Sequence, residues 1–185
     1  MMVIVPRIAV VSCLSTTPFI YGIRHEGNLR AELSLSAPSE ITRLFADGLA
    51  DLALIPAAAY PTLKEARLVT EYCVGGVPKS LSALLACDDP LVEAWKPYGK
   101  LPCAFGLWVA RPEVEPETVE ALQYALTYGL ERGYEAILES PFADDPGRAY
   151  EGLAHFDYIF DNQKDKALKK FWDSGLKVAP RTNPG

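Results

Sequence analysis

The sequence predicts an α/β domain with a mostly parallel sheet flanked by helices, and three observations carry that prediction. Strand and helix patterns alternate over the first 56 residues, as βαβ units with right-handed crossovers require. Residues 8–12 and 51–56 are short runs of apolar and small residues, the pattern of strands buried on both faces. A hydrophobic share of 49% beside 23% charged residues, in a chain of 185, describes one ordinary globular domain or two small lobes sharing a sheet.

The first strand breaks into a cluster of hydroxyl residues, Ser15, Thr16 and Thr17, and Pro18 then opens a helical turn over residues 19–23. Proline suits the first helical position and Thr17 the N-cap. A strand, a hydroxyl loop and a helix N-terminus together offer N–H and hydroxyl donors to an anion. The same hydroxyls serve equally as plain helix caps, their commoner use. Residues 31–36 alternate polar and apolar, like a strand with one wetter face. Residues 38–48 read as a helix, with Ile41, Leu44 and Phe45 on one face and Gly48 as its stop. The second buried strand ends at Pro56.

Residues 57–63 predict a short helix or turn, and residues 67–69 a strand. The Gly75-Gly76 pair before Pro78 suits a hinge or a turn. Residues 80–86 are strand or helix, Asp88-Asp89-Pro90 a turn, and residues 91–96 a turn or two of helix. Residues 100–110 form another apolar strand. From Pro116 the stripe Val119, Leu122, Ala125, Leu126 and Leu130 marks a core-facing helix, with Glu117 in its first turn. Residues 152–160 stay open between strand and helix. Residues 162–174 form the last helix, stopped by Gly175, and residues 178–185 are expected to fray.

Composition excludes several function classes. A net charge of −6 and a pI near 5.0 give nucleic-acid binding no electrostatic support. The densest basic run, residues 164–170, is interleaved with Asp165 and reads as a solvated helix face. The N-terminal residues lack a signal-peptide pattern, and no apolar stretch approaches the roughly 20 residues a membrane span needs. A cytoplasmic protein without membrane contact is expected. Cys13, Cys73, Cys87 and Cys103 show no Cys-x-x-Cys spacing and read as reduced core thiols. His25 and His155 have no ligand-spaced partner, so neither a metal nor a cofactor is expected.

Several segments in order resemble the chorismate dehydratases of the futalosine (alternative menaquinone) pathway. The family's strand and Tyr-Leu-Asn-Thr loop before a proline is similar to Cys13-Leu14-Ser15-Thr16-Thr17-Pro18. Its Pro-Ser-Glu helix start is similar to Pro38-Ser39-Glu40, and its Gly-x-x-Asp strand ending in proline to residues 48–56. Glu93-Ala94-Trp95-Lys96, Leu101-Pro102 and the Phe105-to-Trp108 strand match further segments. The likeness covers nearly the whole chain. It departs where Ser15 replaces the family's asparagine, where Gly99-Lys100 replaces Thr-Gly, and between residues 73 and 91, where this chain is shorter.

The resemblance implies a periplasmic-binding-protein-like (type II) fold with a reduced second lobe. Residues 1–75 and 100–185 would form the main lobe and residues 76–99 the remnant. It implies a lyase that removes water from chorismate, a small dicarboxylate, in menaquinone biosynthesis. Ser15, Thr16, Thr17 and Ser39 would contact the substrate from one rim, with Lys79 and Ser80 reaching it from the remnant. No residue stands out as the base. Glu40 suits a first-turn dipole role and Asp51 a structural place at a strand start, while Trp95 and Trp108 suit packing. Two other readings remain open: a non-catalytic small-carboxylate binder, and a structural homologue without a cleft. A homodimer covering the shortened edge is expected.

Overall fold

The structure, a computed structural model, describes residues 5–76 and 103–173. Expectations placed on residues 77–102 or past residue 173, including those for Lys79, Ser80, Cys87 and Trp95, lie outside the described residues.

The apolar run after Pro6 forms β1 (Arg7–Val11). A 3-10 turn, Leu14–Thr16, leads without a break into α1 (Thr17–His25), which carries proline in its first turn. β2 (Glu32–Ser36), α2 (Pro38–Ala46) and β3 (Leu52–Pro56) follow, then a 3-10 segment, Ala57–Thr62. β4 (Arg67–Gly76) and β5 (Cys103–Ala110) are the two longest strands. The described chain ends through α3 (Pro116–Leu130), α4 (Gly133–Leu138), α5 (Pro146–Leu153), β6 (Asp157–Ile159) and α6 (Asn162–Asp173).

The six strands form one sheet in the order β2-β1-β3-β5-β4-β6. β1 lies parallel to β2 and β3, whereas β5 runs antiparallel to β3 and β4, and β6 antiparallel to β4. Four strands, β1 to β4, therefore share one direction, and the sheet is mixed. β4 ends and β5 begins side by side, with Gly76 in register with Cys103. The chain thus leaves and re-enters the sheet at the rim formed by the carboxyl ends of β1 to β4.

Alternation along the central strands sends side chains to two cores, as a pleat of period two dictates. Ile8, Val10, Leu52 and Leu54 join Phe19, Leu122, Leu126 and Leu168 on one face, while Ala9, Ala53 and Ile55 join Ile41 and Phe45 on the other. Burial on both faces is why these strands read as continuous apolar runs. The helix α1 reaches α3 closely through two glycines. A Cβ on Gly22 would sit 1.9 Å from the Ala125 carbonyl oxygen, and one on Gly129 1.8 Å from that of Pro18.

The structure corrects three local readings. Gly75 and Gly76 lie inside β4 and make no turn; a Cβ on Gly75 would meet the Cys103 and Asp157 carbonyl oxygens at 2.8 and 2.9 Å. The residue is glycine because strands close on it from both sides. The N-cap position before α1 is held by Thr16 and not Thr17, because the 3-10 turn runs straight into the helix. Lys164 is no solvated residue: it is 0% exposed, with Nζ 2.7 Å from Asp157 Oδ2 and 3.3 Å from Asp161 Oδ2. Burial alone would push the ammonium's pKa down, but the two carboxylates outweigh it and raise it.

Asp51 holds the strand start expected of it. Arg7 donates to it from its backbone N (2.8 Å), Nε (3.2 Å) and a terminal guanidinium nitrogen (3.0 Å), joining the first residue of β1 to the approach to β3. Burial pushes the Asp51 carboxyl up, yet the Arg7 bonds prevail and hold it below the usual carboxylate range.

Two outcomes are expected. Gly129→Ala forces α1 and α3 apart and costs at least about 2–3 kcal/mol of stability, read as a lower urea midpoint. Asp51→Asn lowers stability near pH 7 by roughly 1 kcal/mol, a figure kept small by the partial exposure of Arg7. Because the folded-state pKa of Asp51 is depressed, its contribution exists above the ordinary carboxylate pKa and fades as pH falls through the depressed value. The gap between wild type and Asp51→Asn in thermal melts therefore closes below about pH 4.

Candidate functional site

In open α/β sheets, ligands bind outside the carboxyl ends of the strands. Here that rim carries the β1–α1 loop, and the loop borders two hollows that share Cys13. The smaller, ≈ 40 Å³, is lined by Val11, Cys13, Ser15 and Thr16, by Pro38, by β3 residues 54–56, and by Val74, Phe105 and Gly106. It has room for a few waters. The larger, ≈ 400 Å³, lies between α1 and the segment following α4, with Ser12 and Leu35 from the strand side.

Ser15, Thr16 and Thr17 are all buried, at 2%, 0% and 5% exposure. Their hydroxyls mostly hold the loop itself. Thr16 Oγ1 donates toward the Val11 carbonyl at 2.6 Å, with that of Cys13 at 3.0 Å, and accepts from Cys13 N at 3.2 Å. Thr17 Oγ1 donates to the Leu14 carbonyl. Ser15 Oγ lies 3.0 Å from Cys13 Sγ, and both residues line the small hollow. Ser15's carbonyl accepts the Tyr158 hydroxyl at 2.7 Å, which ties the loop to β6. Burial pushes the Tyr158 phenol pKa up, so this donor keeps its proton at neutral pH.

Ser39 is exposed in the first turn of α2 and lines neither hollow, although its neighbour Pro38 lines the smaller. Glu40 pairs with Arg43 one turn along, and that bond holds its carboxyl below the usual range. Cys13, Cys73 and Cys103 are buried, and burial pushes the Cys73 thiol pKa up, away from reactivity. Among the described residues no group of three or more His, Cys, Asp or Glu is placed to hold a metal ion. Nor is any helix among them long and apolar enough to cross a membrane.

Sequence reasoning missed Ser12, Tyr21 and Arg24, which line the larger hollow. The available signal was spacing: Thr17, Ile20, Tyr21 and Arg24 stand at i, i+3, i+4 and i+7, one face of α1. Nothing in the sequence says what that face meets.

A mixed sheet covered by helices on both faces, with its candidate site at the carboxyl rim, places the protein among small α/β domains of the periplasmic-binding-protein kind. Solved structures agree. The chain is similar to protein AF1704 from Archaeoglobus fulgidus, with TM-score 0.69 and 17% identity over 91% of this chain and 95% of that one. It is also similar to the Candida albicans CA3427 gene product, described as having the generic periplasmic binding protein fold (TM-score 0.61, 9% identity, 98% and 92% covered). A third is the alkanesulfonate-binding protein SsuA from Xanthomonas axonopodis pv. citri bound to MOPS (TM-score 0.54, 11% identity, 95% and 94% covered). Residues 6–93 match the family model described as menaquinone biosynthesis, in agreement with the resemblance read from the sequence over that stretch. No curated protein matches the chain by sequence.

The loop's hydroxyls give a direct stability test. Thr16→Val keeps the shape and removes the bridge to the Val11 carbonyl and Cys13 N, at a cost of about 1–3 kcal/mol. Ser39→Ala, at an exposed position, changes stability by no more than about 0.5 kcal/mol. Urea unfolding of the two variants checks the contrast.

Proposed function

We propose that the chain is a lyase of the chorismate dehydratase type, converting chorismate to 3-[(1-carboxyvinyl)oxy]benzoate. The supporting observation is a coincidence of place. The segment matching the menaquinone-biosynthesis family, residues 6–93, includes the β1–α1 loop, and that loop stands at the sheet rim where this fold class receives ligands. The reaction removes a proton from the ring carbon bearing the enolpyruvyl ether and a hydroxyl from its neighbour. The ring becomes aromatic, so the protein must supply orientation, a proton acceptor and help for the leaving hydroxyl. In this reading Ser15 faces the substrate, and Thr16 and Thr17 keep its loop rigid. Ser39, Lys79 and Ser80 complete the proposed contacts. No side chain is assigned as base, and a carboxylate of the substrate itself can accept the ring proton.

One observation weighs against catalysis and keeps a second reading, a non-catalytic binder of small carboxylates, because the hollow lacks a general base among the described residues. Among the described residues no charged side chain lines the ≈ 40 Å³ hollow beside Ser15. Purified protein incubated with chorismate separates the two. Appearance of the aromatic enol ether, followed by chromatography and mass spectrometry, is the outcome expected for the lyase. Absence of turnover removes that reading. Thermal stabilisation by chorismate without turnover leaves the binder, because a ligand of the native state raises its melting temperature. Neither turnover nor stabilisation removes both.

A further inference from the structure

We propose that the ≈ 400 Å³ cleft between α1 and the segment after α4 is a second binding site, built for a small carboxylate that carries a hydrocarbon ring. It is distinct from the small hollow beside Ser15, and it goes beyond the lyase reading.

The cleft's volume falls within the range of about 300–1,000 Å³ typical of small-molecule sites. Its helical wall is the α1 face described above, and Arg24 stands at the far end of that face. Arg24 is exposed, and among the described residues its guanidinium makes no hydrogen bond or ion pair. A guanidinium fork matches a carboxylate with two parallel hydrogen bonds. The acidic residue of the lining, Glu139, has its own partner, His25, whose Nε2 lies 2.6 Å from Glu139 Oε2. The cation in the cleft is therefore open to a ligand.

The remaining lining selects what accompanies the charge. Ile20, Leu35 and Phe142 are apolar. Leu35 is otherwise an unexplained exposed leucine on an edge strand. The Tyr21 ring is fixed by stacking on Tyr128 (centroids 6.3 Å apart, planes 8° from parallel), and Tyr128 in turn lies under the Arg132 guanidinium at 3.6 Å. Ser12, just past the end of β1, adds a hydroxyl that makes no hydrogen bond among the described residues. A bare inorganic anion would satisfy Arg24 but leave the apolar walls wet; a ring acid satisfies both the guanidinium and the walls.

The test is calorimetric titration of the full chain with benzoate, benzyl alcohol and inorganic phosphate. Benzoate is expected to bind, with benzyl alcohol and phosphate each at least tenfold weaker. Arg24→Gln, at an exposed helix position, should weaken benzoate about tenfold while melting like wild type. Leu35→Trp should abolish binding by filling the cleft, and Ser15→Ala should leave benzoate affinity unchanged. No binding of benzoate to wild type, or equal affinity in Arg24→Gln, overturns the proposal. Phosphate binding as tightly as benzoate overturns the ring requirement and with it the site as stated. Loss of benzoate binding in Ser15→Ala but not in Arg24→Gln moves the acid to the small hollow: this proposal then fails while the lyase reading stands.

Discussion

Backbone-to-backbone contact between α1 and α3 fixes the geometry of everything at the rim. Gly22 and Gly129 face each other where any Cβ would collide with a carbonyl, so the helices meet without side chains between them. The Pro18 carbonyl takes part in that contact, one residue after the loop of Ser15, Thr16 and Thr17. Phe19 then points into the sheet, against Trp108 at 5.8 Å, Tyr158 at 5.3 Å and Tyr72 at 6.3 Å. The aromatic cluster is dense enough that Trp108 Nε1 is buried with no hydrogen-bond partner among the described residues, a cost of about 1–3 kcal/mol. Packing of the rings outweighs that cost.

The other end of the sheet is held by charge. Lys164 enters from α6 beneath β6 and touches the place where Gly75 admits no side chain. Its two carboxylates are about half exposed while the ammonium is covered. Solvent thus stays in contact with the anions, and the cation is compensated from both sides. Such a pair serves location more than stability, since desolvating a lysine consumes most of the Coulombic gain. It pins β6 and α6 beside the rim at which the chain leaves and re-enters the sheet.

What the sequence disclosed follows from how local each signal is. β1 and β3 were legible because burial on two faces leaves a continuous apolar run, and α3 because its stripe spans about three turns. β6 is three residues long, and α4 and α5 are six and eight; no periodicity develops over such lengths. Lys164 was misread because an interleaved charge run looks solvated, and its partner Asp157 lies on a strand the sequence did not separate from helix. The glycines of α1 and α3 carried no warning, since close helix approach is a property of the pair. At the candidate site the hydroxyl loop was visible from its residues, whereas the cleft on its other side required knowing that α1 faces the segment after α4.

The division of labour within the loop bears on what each hollow can bind. Thr16 and Thr17 are engaged with loop carbonyls, so they hold the loop in shape before any ligand arrives, and a preorganised wall loses little entropy on binding. That rigidity leaves Ser15 as the loop hydroxyl facing the small hollow, which among the described residues has no charge of its own. A dicarboxylate reaching Ser15 would extend beyond this hollow, which holds only a few waters, and needs its countercharge from elsewhere in the chain, the role proposed for Lys79. On the α1 side the position is reversed, since Arg24 supplies the charge and the loop only the floor. One rigid loop therefore separates a small, uncharged and largely apolar hollow from a larger, more polar one that carries Arg24 and Glu139.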